Sequence, residues 1–76
     1  MEIKSFIENF AAQFDDTDAG EIKAETKFKD LDEWSSLIAL SVISMVDEEY
    51  NVTLVADDIR ESETIEDLYY KVKANV

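Results

Sequence analysis

The chain contains no histidine and no cysteine, so nucleophilic catalysis by Ser-His, Cys-His or thiolate arrangements cannot be assembled from it. The same absence removes the common zinc sites and any disulfide framework. Ser36 is the hydroxyl in the most conspicuous place. It sits where the polar run Lys29-Asp30-Leu31-Asp32-Glu33-Trp34-Ser35 meets a strongly apolar helical stretch. A serine without a neighbouring base is inert by itself, so any covalent chemistry on Ser36 has to be performed by another protein. Ser35 and Ser36 also fit a purely structural role, because serine is a preferred N-cap and a helix starts here.

Two carboxylate groupings invite a chemical reading and do not sustain it. Asp15-Asp16-Thr17-Asp18-Ala19-Gly20 has the look of a calcium loop, but with Gly20 at the sixth position the fifth is Ala19 and the twelfth is Thr26, where a Glu is needed. A helix-ending turn is the better reading. Asp57 and Asp58 could serve as an acid-base pair, yet nothing nearby predicts a substrate pocket, and they fit the acidic start of a short helix.

The elements that must position Ser36 follow from hydrophobic spacing. Ile3, Phe6, Ile7, Phe10, Ala11 and Phe14 recur at the spacing of a helix with one buried face, which predicts a first helix over Glu2–Phe14. From Asp15 to Ser35 there is no sustained periodicity. Ile22, Phe28, Leu31 and Trp34 are spaced to pin this segment to a core, which predicts an ordered loop. A second helix over Ser36–Tyr50 carries Ile38, Ala39, Val42, Ile43, Met45, Val46 and Tyr50 on a broad arc, with Ser41, Ser44 and Glu48 in a narrow stripe beside Leu37. Asn51 supplies its stop, and Val52-Thr53-Leu54-Val55 reads as an apolar connector. Asp57–Glu61 predicts a short helix. Thr64 caps a last one, with Asp67 at the capping-box position and Ile65, Leu68, Tyr69 and Val72 on its apolar face. The expected fold class is all-α: a single domain over residues 1–76, built as a small bundle of three longer helices plus one short helix.

Nineteen Asp and Glu against seven Lys and Arg give a formal net charge of −12, which opposes nucleic acid and anionic lipid and favours proteins that present basic patches. No segment approaches the roughly 20 apolar residues of a membrane span, and Met1-Glu2-Ile3-Lys4 is not followed by a long apolar run. The expectation is a cytoplasmic monomer of modest stability, since a core this small barely outweighs the entropy of ordering the chain.

The run Trp34-Ser35-Ser36-Leu37, with apolar residues at Leu40, Val42, Ile43 and Val46, acids at Asp47, Glu48 and Glu49 and an aromatic at Tyr50, resembles the acyl carrier protein family. The resemblance spans nearly the whole chain. Thr26, Phe28 and Leu31 look like the family's approach to its modified serine, and Thr64-Ile65-Glu66-Asp67-Leu68 like the start of its last helix. It implies that Ser36 carries 4′-phosphopantetheine and that the protein, with no catalytic activity of its own, holds acyl intermediates as thioesters in fatty acid, polyketide or related biosynthesis. It further implies that Leu37, Asp47 and Glu48 touch the basic patches of a phosphopantetheinyl transferase, an acyl-loading enzyme and condensing or acyl-transferring enzymes. Val42, Val46, Leu54, Ile59 and Leu68 are then the residues expected to shelter the cargo, or simply to form core.

Four positions depart from the family pattern. Ser35 replaces the usual Asp before the modified serine, Ser41 and Ser44 replace acidic or larger residues, and Trp34 replaces a small one. The last resembles specialised carriers more than the housekeeping one. An amino-acid carrier of the D-alanyl type is the alternative within the class, and an acidic helical interaction module with Ser36 as a mere cap is the alternative outside it.

Overall fold

A computed structural model describes residues 2–76; Met1, the first residue of the N-terminal segment considered above, lies outside them. Four α-helices follow in order: α1 over Ile3–Ala11, α2 over Ser36–Tyr50, α3 over Ala56–Glu61 and α4 over Ile65–Lys73. Two 3-10 turns, Ala19–Glu21 and Phe28–Asp30, sit in the long connection between α1 and α2. There is no strand among the described residues, and the chain folds as the expected small all-α bundle. No helix among them is long and apolar enough to cross a membrane.

α1 stops three residues short of the periodic pattern. After Ala11 the chain tightens, with Gln13 N–H donating to Phe10 O and Phe14 N–H to Ala11 O, both at 3.1 Å. The next three amides, of Asp15, Asp16 and Thr17, donate to the Glu33 carboxylate rather than back along the helix. Phe14 still reaches the core by this turn and is buried against Phe10, with ring centroids 5.7 Å apart.

α1 packs against α2 and α4, and α3 packs against α4. Phe6 and Phe10 from α1, Val42 and Val46 from α2, and Ile65, Leu68 and Val72 from α4 are fully buried at the centre. Fully burying such a side chain contributes about 1.5–3 kcal/mol, so this group dominates the stability. Phe28 from the long connection is fully buried, Ile22 is nearly so, and Leu31 and Trp34 pack half-buried against the same core. The connection is therefore ordered by apolar pins, as its spacing predicts.

α2 begins and ends where the sequence places it. Asn51 adopts the left-handed conformation, φ 58° and ψ 37°, and its N–H donates to Asp47 O. α3 starts one residue before the expected span. Asp58 Oδ2 accepts from Val55 N–H at 3.0 Å, and Asp57 pairs with Arg60. Buried Ser62 donates to Asp58 O at 2.8 Å, so its hydroxyl carries no desolvation penalty. At α4, Thr64 Oγ1 accepts from Asp67 N–H while Asp67 Oδ2 accepts from Thr64 and Glu63 N–H, the reciprocal cap read from the sequence.

Candidate functional site

The two adjacent serines divide into two roles. Ser35 has extended backbone (φ −156°, ψ 172°), its Oγ accepts from Ile38 N–H at 3.3 Å and its carbonyl accepts from Ala39 N–H at 2.9 Å. Ser35 is the N-cap. Ser36 is then the first residue inside α2; its side chain is exposed and makes no hydrogen bond among the described residues. The capping assignment that competed for Ser36 therefore falls on its neighbour.

Of the four N–H groups that a helix start leaves without intrahelical partners, here those of Ser35, Ser36, Leu37 and Ile38, α2 satisfies that of Ile38 alone among the described residues, while Ala39 N–H makes the first bond within the helix. Those of Ser36 and Leu37 have no partner among the described residues. At α4 all four are taken: Thr64 N–H donates to Asp67 Oδ2, Ile65 N–H to Thr26 O, Glu66 N–H to Ala24 O and Asp67 N–H to Thr64 Oγ1. One helix start is closed by the fold and the other is left open beside a free hydroxyl. The first turn of α2 carries no acidic residue, so its partial positive charge is not neutralised locally.

Two ties fix the chain entering α2. Glu33 accepts four hydrogen bonds: Oε2 from Asp15 N–H at 2.6 Å, and Oε1 from Asp16 N–H at 3.0 Å, Thr17 N–H at 2.9 Å and Thr17 Oγ1 at 2.7 Å. These bonds, with that from Asp15 the strongest and the Thr17 hydroxyl next, hold its carboxyl below the usual Glu range. Trp34 stacks parallel to Phe10 with ring centroids 6.5 Å apart and meets Phe28 edge-on at 5.0 Å. The segment immediately before the serines is thus held on one side by a carboxylate and on the other by an aromatic cluster.

Two hollows lie along α2, and the first of them borders Ser36. An apolar crevice of about 310 Å³ between α2 and α3 is bordered by Ser36, Ala39, Leu40, Ile43, Ala56 and Ile59. A more polar groove of about 530 Å³ runs between α1 and α2, bordered by Asn9, Ala12 and Gln13 on one side and by Leu37, Leu40, Ser41, Ser44, Met45, Glu48 and Glu49 on the other. Leu37 and Leu40 are 73% and 60% exposed, an unusual cost for two leucines adjoining one hydroxyl.

Searches against family models, curated proteins and solved structures find no match to this chain. Function must therefore be argued from the geometry and from the resemblance of the residues. Leu37 and Glu48 do share the α1–α2 groove, eleven residues and three turns apart on one face, while Asp47, also exposed, is not part of its lining. Of the residues expected to shelter a cargo, Val42, Val46, Leu54 and Leu68 are ordinary core, and only Ile59 borders the crevice beside Ser36. The residues that do line it, Ala39, Leu40, Ile43 and Ala56, escape a reading of the sequence because the crevice exists only once α3 is laid against α2. Ala39 and Ala56 border it from the two helices. Among the described residues no group of three or more acidic side chains is arranged to hold a metal ion, and Asp18 Oδ1 instead accepts from Gly20 N–H at 2.9 Å in a local turn.

Proposed function

We propose that this chain is a carrier protein of the acyl type, without catalytic activity of its own, which receives 4′-phosphopantetheine on Ser36 and presents acyl groups to partner enzymes. The observation that carries the reading is the free, exposed Ser36 hydroxyl at an uncapped helix start, with two unpartnered N–H groups and an apolar crevice beside it. When attached, the arm supplies the thiol that a chain without cysteine lacks and holds its cargo as a thioester.

The chain's own residues fit that group. Ser36 Oγ is the acceptor in a transfer from coenzyme A. Its bond to phosphorus forms, the phosphoanhydride bond breaks, adenosine 3′,5′-bisphosphate leaves, and the serine proton passes to a base of the transferase, since no side chain here contacts Ser36 Oγ to take it. The N–H groups of Ser36 and Leu37, together with the helix dipole, favour the phosphodiester's negative charge at that place. The crevice bordered by Leu40, Ile43 and Ile59 lies at the small end of the ~300–1,000 Å³ usual for ligand sites, a size that suits a short apolar segment.

Partners are recognised by charge and by exposed leucine. Between Lys29 and Arg60 the chain has eight Asp and Glu and no Lys or Arg; three of them precede Ser36 and three close α2, with an uncharged stretch over 34–46 between. Asp47, Glu48 and Glu49 stand at the negative end of the α2 dipole with no basic residue in that turn, an arrangement that costs helix stability and is offset when a basic partner docks. Leu37 supplies the apolar contact and Glu48 the charge on the same groove, with Asp47 on the adjoining stripe. These features fit a phosphopantetheinyl transferase, an acyl-loading enzyme and condensing or transferring enzymes with basic patches. They fit a cytoplasmic setting, where a pantetheine thiol stays reduced.

The test is to incubate the protein with coenzyme A and a broad-specificity transferase and to read the intact mass. One phosphopantetheine is added to the wild type and none to Ser36→Ala. Failure of the wild type to accept it from transferases that load a control carrier leaves only an acidic interaction module.

A further inference from the structure

Glu33 stands three residues before Ser36, and its carboxylate is filled by the amides of Asp15, Asp16 and Thr17 and by the Thr17 hydroxyl, at 2.6 to 3.0 Å. These partners lie 16 to 18 residues away in the chain, at the exit of α1. Four hydrogen bonds onto one partly exposed carboxylate exceed what a helix cap or a turn requires. α2 already has its own cap in Ser35, and its buried face holds it in the bundle without Glu33. The carboxylate closes something else: the loop of residues 12–35, whose two ends it ties together where the chain is about to enter the serine pair. Trp34 lies between this tie and the cap, stacked on Phe10 and edge-on to Phe28, so the orientation of the Glu33–Ser36 segment is set from both sides.

We infer that Glu33 is a positioning residue for modification of Ser36, holding the loop so that the hydroxyl is offered to the transferase in one conformation. The inference rests on the carrier reading and deepens it. Without the carboxylate the amides of residues 15–17 turn to water, the loop samples open states, and only a fraction of molecules present Ser36 in the bound geometry. Apparent affinity then falls by that fraction, while the transfer step within the complex is unchanged. A merely structural role would lower stability and leave the kinetics of loading alone. The depressed carboxyl pKa agrees with a tie that stays formed at neutral pH.

Gln keeps one acceptor oxygen and sets an NH₂ group against a remaining amide, whereas Ala removes every acceptor. Glu33→Gln and Glu33→Ala should therefore form a graded pair. Two controls separate the alternatives. Asp32→Asn removes the same charge one position away, from a side chain with no hydrogen bond among the described residues, and Asp67→Asn weakens a carboxylate cap of similar make at α4, away from the serine.

Steady-state loading from coenzyme A by a broad-specificity transferase is measured together with amide exchange and thermal melting. The expected result is that KM for the carrier rises about five- to tenfold in Glu33→Ala and less in Glu33→Gln, with kcat within about twofold of wild type, as a shift in the competent fraction requires. Amides of Asp15, Asp16 and Thr17 exchange faster in both variants, and Asp32→Asn and Asp67→Asn keep the wild-type KM. Should Glu33→Ala fail to fold, Glu33→Gln alone decides. The inference is overturned if both Glu33 variants load with the wild-type KM, or if Asp32→Asn raises KM as much as they do, which would make the effect one of charge. A wild type that no transferase loads removes the carrier reading itself, a result distinct from either.

Discussion

Ser35 and Ser36 are chemically identical neighbours, and the account assigns them opposite roles, so substituting each in turn makes a sharp test. Ser35→Ala removes the only side-chain acceptor for Ile38 N–H, a bond of 3.3 Å, and costs about 1 kcal/mol at such an N-cap. With unfolding entropy of about 2.1 cal/mol/K per residue, the 76-residue chain has roughly 0.16 kcal/mol/K in total, and 1 kcal/mol corresponds to a Tm lower by about 6 °C. Ser36→Ala breaks no hydrogen bond, and Ala is the better helix former, so its Tm stays level or rises, by less than about 0.5 kcal/mol in stability. Ser35→Asp keeps the cap and adds a charge at the positive end of the dipole, for a gain of about 0.3–1 kcal/mol. Urea denaturation with a common m value, supported by melting followed through Trp34 emission, reads all three. The reasoning is refuted if Ser36→Ala loses 1 kcal/mol or more while Ser35→Ala is neutral, because Ser36 would then be the cap and its hydroxyl would be engaged.

Other expectations follow from local geometry. Asn51 at φ 58° pays for a left-handed conformation that Gly adopts freely, so Asn51→Gly is neutral to about 1 kcal/mol stabilising, and Asn51→Val costs about 1–2 kcal/mol in denaturant titration. Glu33 and Asp67 titrate lower in the folded protein than unfolded, Asp67 chiefly through the amides of Thr64 and Glu63. Their stabilisation is thus complete above the unfolded carboxylate range near pH 4–5 and is lost as pH falls through the folded values, because the unfolded chain then binds more protons. The double variant Glu33→Gln, Asp67→Asn should show a shallower acid-side slope of stability against pH than wild type; an unchanged slope means these two groups do not set it. Neutralising Asp47, Glu48 and Glu49 to their amides raises stability by about 0.3–1 kcal/mol each at low salt and less at high salt, while slowing association with the transferase. Unchanged loading kinetics in the triple variant would show that partners do not use this end of α2.

What was legible in the sequence is what local chemistry decides. The limits of α2 follow from a serine cap and an asparagine stop, and the cap of α4 from Thr64 and Asp67 at their fixed spacing. The burial of Phe28 and Ile22 follows from isolated large apolar residues in a polar loop, which have nowhere else to go. The end of α1 was not legible. Its apolar spacing continues to Phe14, but Gln13 and Phe14 N–H turn to carbonyls three residues back and the next three amides are claimed by Glu33, 16 to 18 residues away, and no local pattern announces a bond of that range. The crevice was missed for the same reason. Val42, Val46, Leu54 and Leu68 are apolar but buried in the core, while the smaller Ala39 and Ala56 border the space beside the hydroxyl. Whether a serine at a helix start is a cap or a site depends on which of two neighbours turns its oxygen back toward the backbone, and only coordinates decide that.

The central claim is that the Ser36 hydroxyl is free to accept a prosthetic arm while Ser35 holds the helix. Intact mass spectrometry after exposure to coenzyme A and a transferase tests it on three proteins at once. One phosphopantetheine added to the wild type and to Ser35→Ala, with none on Ser36→Ala, is the predicted result. A wild type that stays unmodified beside a loaded control carrier, or an addition that persists in Ser36→Ala, contradicts it.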